Sequence, residues 1–147
     1  MATDNSGILR DLAEAFNARD FDRAHELVSP EIEFIDVAAG VTVHGPDGFI
    51  GYARGWAGAF SDMTIETLAV VADERRAAGE FVGRGTHDGP LPTPAGEIPA
   101  TGRSFEERFT WFCEVADGKL TGVRDYYNSM ALMVQVGLMP EPAESAS

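Results

Sequence analysis

Three histidines, one cysteine and twenty-four acidic side chains bound the chemistry open to this 147-residue chain. His25, His44 and His87 lie in separate stretches, with no His-Glu-x-x-His pair and no Cys-His cluster, so their spacing predicts no metal site. Cys113 stands alone, which excludes an internal disulfide, and it reads as a core residue. There is no Gly-x-Ser-x-Gly elbow, phosphate loop or dinucleotide fingerprint; the glycines of GRGTHDG close a strand and open no helix. What is left is acid–base chemistry without a cofactor, by a His, Asp or Glu whose proton affinity is adjusted by burial in an apolar pocket.

Three places offer such groups. His87 closes a strand on the side of Phe81, Gly83 and Gly85, where absent side chains leave room for a ligand, although a histidine satisfied at a strand end reads the same way. Glu107 shares the face of Phe105, Phe109, Trp111, Cys113 and Val115, and is either a carboxylate in a cavity or one at an exposed strand end. Arg124, Tyr126 and Asn128 fall on one face of the final strand and offer a cation, a phenol and an amide to a carbonyl or enolate oxygen. Asn128 also precedes a helix, where it is a good N-cap. Asp125 alternates to the opposite face and is discounted on that ground.

The elements that hold these groups follow from periodicity. Ile8, Leu9, Leu12, Ala15 and Phe16 recur at helical spacing after a Ser6 cap, and Asp20 caps a second short helix that ends at Ser29-Pro30. EIEFIDV alternates as a half-buried strand. Pro46 then opens a helix whose Phe49, Tyr52, Trp56 and Phe60 repeat at three- and four-residue steps. Gly48, Gly51, Gly55 and Gly58 in that helix imply either close packing or a mobile lid. Residues 63–72, 77–87, 104–116 and 119–128 read as four strands, the last two joined by an Asp117-Gly118 turn. The Pro/Gly-rich stretch DGPLPTPAGEIPATG reads as a long exposed loop, and Ser129–Val136 as a last helix with Gly137 at its C-cap. One domain over residues 1–139 is expected, with a disordered tail over 140–147.

Net charge is −13, with eleven Lys and Arg against twenty-four Asp and Glu, a balance that repels nucleic acid. No run of apolar residues is long enough to span a membrane and no basic-then-apolar leader opens the chain, so a cytoplasmic protein is expected. The apolar faces of the sheet and last helix suggest a homodimer.

AFNARDFDRAHELVSPEIEFID, AFSD, FVGRGTHDG, ATGRSFEERF and RDYYNSMALMVQVGLMP together resemble the SnoaL-like polyketide cyclases of the nuclear-transport-factor-like superfamily, over nearly the whole chain. The resemblance implies an α+β fold in which a cone-shaped, curved, mostly antiparallel sheet is wrapped by three to four helices around a central pocket. It also implies cofactor-free intramolecular aldol closure on a small hydrophobic substrate. His87 falls on the family's pocket histidine. The family's aspartate position, seven residues before Gln135, holds Asn128, an amide that takes no proton at neutral pH. Either His87 is the base while Asn128 binds an oxyanion, or Asp125 or Asp36 substitutes, or the domain binds without turnover. Substrate contacts are expected from Phe34, Asp36, Trp56, Phe60, Trp111, Arg124 and Tyr126. A third reading, water addition by an acid–arginine–acid set, finds Arg84 and Asp88 on one strand face but no third member.

Overall fold

The computed structural model describes residues 5–141. The opening four residues and 142–147, most of the expected tail, lie outside the described residues. Helix α1 (Asn5–Asn17) buries Ile8, Leu9, Leu12, Ala13, Ala15 and Phe16 along one side. It already includes Ser6, which the sequence placed at its cap. Its end is pinned to the sheet, because the Asn17 amide donates to the Ile65 carbonyl at 2.9 Å and accepts from the Ile65 N–H at 2.7 Å. Helix α2 (Phe21–Glu26) starts as expected, with the Asp20 side chain accepting from the Arg23 N–H at 3.0 Å. It stops before Pro30, because strand β1 (Val28–Asp36) already begins at Val28.

Strand β2 (Val41–His44), absent from the sequence reading, folds back on β1 through Gly40 at φ +70°. Four residues with partly exposed faces carry too little alternation to announce a strand. Helix α3 (Gly45–Ala59) has Pro46 in its first turn, where the missing N–H costs nothing. Strands β3 (Thr64–Ala72), β4 (Arg76–Thr86), β7 (Ser104–Ala116) and β8 (Lys119–Tyr127) lie within a residue of their expected limits. Asp117 and Gly118, at φ +53° and +74°, make the β7–β8 turn.

Strands β5 (Leu91–Thr93) and β6 (Gly96–Ile98) form a small hairpin within the segment expected to be an exposed loop. Leu91 is buried, and Pro92 lies against α3 beside Gly55. Helix α4 (Ser129–Gln135) closes the chain, followed by Gly137 at φ +81°.

The main sheet is curved, with strand order β2-β1-β8-β7-β4-β3, and all its pairs are antiparallel except β1 with β8. Helices α1 and α3 pack against its concave side, and their apolar faces close the core. Near its centre Phe81, fully buried, stacks on Phe109 and tilts against Trp111 at ring separations of 5.2 and 4.5 Å. Gly79 makes this possible, since a Cβ there would lie 2.5 Å from the Phe81 ring. Phe81→Ala is expected to cost about 3–5 kcal/mol in urea denaturation. A loss within experimental error of zero would show that the aromatic layer is not the core's anchor.

One irregularity controls everything downstream. Val115 pairs with Leu120 and Glu114 with Gly122, so Thr121 is an extra residue in β8. This bulge shifts the alternation by one position. Leu120 and then Val123, Asp125 and Tyr127 face the concave side, while Arg124 and Tyr126 face outward.

Candidate active site

Between the concave face of the sheet and helices α1, α2 and α3 lies a cavity that opens to solvent. Its walls are largely aromatic, with Phe34, Tyr52, Trp56, Phe105, Trp111 and Tyr127 contributing rings. Among the described residues, two carboxyl groups, Asp125 and Glu107, reach it, and no lysine, arginine or histidine does.

Asp125 is buried, and its Oδ1 has no hydrogen-bond partner. Burial first, and the negative charge of Asp36 second, hold its carboxyl well above the usual carboxylate range. Asp36 is the partner of Asp125 in the parallel β1–β8 register, so the two lie on adjacent strands. Asp36 itself accepts from the Tyr52 hydroxyl at 2.6 Å, the Tyr127 hydroxyl at 2.9 Å and the Ala39 N–H at 2.9 Å. Burial and the two nearby aspartates push both phenols far above their ordinary range, so they stay protonated and donate. The result is a cluster in which one aspartate is fully bonded and the other is left with an unpartnered oxygen.

Glu107 lines the cavity on β7 and accepts from the Gln135 side chain of α4 at 2.9 Å. Partial burial raises its carboxyl, and the Gln135 bond opposes that shift. Of the two settings the sequence allowed for Glu107, the cavity is the one observed.

His87 is fully buried, but it is not part of the cavity wall. Its Nδ1 accepts from the Thr101 N–H at 3.3 Å and lies 3.2 Å from the Thr101 hydroxyl, while Nε2 has no partner. Phe60 packs against the imidazole at 5.2 Å, and its ring also contacts Trp56 and Phe105 of the cavity wall. The space expected beside Gly85 is filled, since a Cβ there would meet Phe60 and Phe105 at 3.1 and 3.2 Å. Phe60 thus stands between His87 and the cavity instead of lining it.

The expected polar wall on β8 faces the other way. Arg124 pairs with Glu114 at 3.1 Å and lies over the Phe112 ring on the outer face, and Tyr126 is 44% exposed there. Asn128 caps α4, accepting from the Ala131 N–H at 2.9 Å. Of the expected contacts, Phe34, Trp56 and Trp111 line the cavity, Asp36 lies behind Tyr52 and Tyr127, and Arg124, Tyr126 and Asn128 are not brought to it. The reason is the Thr121 bulge, which inverts the face that simple alternation assigns. Asn128→Ala is expected to cost about 1 kcal/mol, the usual worth of an N-cap, and to leave ligand affinity unchanged by calorimetry. Lost affinity in a stable variant would return Asn128 to the site.

Elsewhere, Arg84 pairs with Glu66 and Glu106 at 2.8 and 2.5 Å on the exposed outer face, and Asp88 bonds Ser61. An acid–arginine–acid set therefore exists, but away from the cavity. The Cys113 thiol is buried in the core and pushed up to about 12 by desolvation. Among the described residues, no three His, Cys, Asp or Glu side chains cluster to hold a metal ion, and no helix is long and apolar enough to cross a membrane. Gly51 and Gly58 meet nothing within 4 Å where a Cβ would stand, so crowding does not explain them.

This architecture recurs in known structures. AclR, a candidate hydroxylase from Streptomyces galilaeus, superposes with a TM-score of 0.80 at 22% identity, over 98% of this chain and 87% of that one. A candidate SnoaL-like polyketide cyclase from Jannaschia sp. CCS1 gives 0.80 at 19% identity, over 92% and 93%. IdmH, a candidate polyketide cyclase from Streptomyces antibioticus, gives 0.74 at 26% identity, over 92% and 99%. No curated protein matches the sequence. The family model for the SnoaL-like domain matches residues 9–123, from α1 into β8, and the chain therefore belongs to the SnoaL-like domain family.

Proposed function

We propose that this protein is a cofactor-independent enzyme of the cyclase and isomerase type, which removes a proton next to a carbonyl of a small, largely apolar substrate with Asp125 as acid–base group. The observation that carries the reading is the Asp125 carboxyl, buried on the wall of an aromatic cavity with one oxygen unpartnered. A carboxylate of raised proton affinity is a stronger base than an ordinary one, and once protonated it can return that proton to a more basic alkoxide.

In the proposed sequence, ionised Asp125 takes the proton from the carbon beside a carbonyl, and the C–H electron pair becomes the enolate. The enolate carbon then attacks a second carbonyl of the same molecule. The new alkoxide recovers the proton from Asp125, so nothing is consumed and no redox partner is needed. Burial first, and the neighbouring Asp36 bonded by Tyr52 and Tyr127 second, raise the basicity of Asp125. The predominantly aromatic walls limit water around the enolate.

The test is deuterium uptake from heavy water into enolisable polycyclic keto esters, followed by mass spectrometry, in the native protein and in Asp125→Asn and His87→Ala. Uptake lost with Asp125 and kept without His87 supports the reading. Uptake lost only with His87 moves the chemistry to the histidine behind Phe60. No uptake by the native protein, with binding still measurable, leaves a small-molecule-binding domain.

A further inference from the structure

The polar groups of the cavity are unevenly matched to ligands. Among the described residues, Asp125 and Glu107 are its only carboxyl groups, and none supplies a cationic side chain to receive an anion. Glu107 is also held in place. The Glu106 N–H donates to Gln135 Oε1 at 2.8 Å, which fixes the amide so that Nε2 donates to Glu107 Oε2 at 2.9 Å. Helix α4 thereby sets the orientation of a β7 side chain in the cavity. With one oxygen bonded by Gln135, the other can only accept from a ligand when the group is ionised. Aromatic faces around it suit a ring system, and Phe105 and Phe109, two residues either side on β7, also line the cavity.

We propose that Glu107 is the specificity-determining residue of this cavity, receiving a hydroxyl or protonated amine carried on the ligand's ring system and turning away ligands that carry a carboxylate. The inference rests on the reading of this cavity as the substrate site, and it names the substrate class: aromatic or polycyclic molecules with a hydrogen-bond donor and no negative charge. Gln135 acts through Glu107 as a positioning residue.

Isothermal titration of four matched probes, naphthol, naphthylmethylamine, methylnaphthalene and naphthoate, tests this in the native protein, Glu107→Leu and Glu107→Gln. The native protein is expected to bind the two donor-bearing probes about tenfold or more tightly than methylnaphthalene, the worth of one hydrogen bond to a charged group, and to bind naphthoate least. In Glu107→Leu the preference for donors should vanish and methylnaphthalene should bind better than before. Glu107→Gln, close in shape, should hold naphthol within about threefold and lose most of the amine's advantage, which separates hydroxyl recognition from charge recognition. An unchanged order of affinities in both variants, naphthoate binding as well as naphthol, or no binding of any probe by the native protein overturns the proposal. Its failure is distinct from that of the catalytic reading: a lost donor preference without any deuterium uptake sinks only the chemistry, and uptake with an unchanged preference sinks only Glu107.

Discussion

Deuterium uptake is expected to fall at least about a hundredfold when Asp125 becomes asparagine, the usual scale for removing a general base, while the folded protein becomes more stable at neutral pH. Both effects come from one cause. Asp125 is buried beside Asp36, so its folded pKa lies above its unfolded value. Between those two values the folded chain keeps a proton that the unfolded chain has lost, and stability therefore declines as pH rises from about 4 through the folded pKa. Asparagine is neutral throughout and carries no such penalty. Urea denaturation of the two proteins should coincide near pH 4 and diverge as pH rises, with Asp125→Asn the more stable. Parallel stability curves would mean that Asp125 is not held protonated by its surroundings, and undiminished uptake would remove it from the mechanism.

Loss of Asp36 should have the opposite signature. Its carboxyl is the acceptor for two partly buried phenols, and Asp36→Ala leaves both without that partner, at an expected cost of about 2 kcal/mol or more. The conservative Asp36→Asn keeps an acceptor oxygen but removes the charge that faces Asp125. Its pH profile of deuterium uptake should shift its acidic limb to lower pH, because the second cause of the raised Asp125 carboxyl has gone. A merely structural role for Asp36 would lower stability without moving that limb, so the limb's position is the discriminating readout.

Much of this protein was legible before its structure. Helical repeats such as Ile8-Leu9-Leu12-Phe16 and strand alternation such as Phe105-Glu107-Phe109-Trp111 depend on local periodicity, which the sequence carries directly. Turns were legible for the same reason, since Asp117-Gly118 adopts the positive φ angles its residue types permit. The short strands β2, β5 and β6 were not, because three or four residues hold too little pattern and their pairing partners are decided by the surrounding fold.

The site shows where local reading ends. Residue types alone pointed to acid–base chemistry, since no metal-ligand or nucleotide motif occurs in the sequence, and Phe34, Trp56 and Trp111, three of the expected contacts, line the cavity. Which aspartate faces that cavity was decided by Thr121, an extra residue in β8 whose presence is defined only by pairing with β7. Whether His87 reaches the cavity was decided by Phe60, which comes from the end of another element to fill the space beside Gly85. Alternation and helical spacing are properties of a segment by itself, whereas bulge position and the occupancy of a gap are set by contacts between segments distant in sequence, and so only the folded chain determines them.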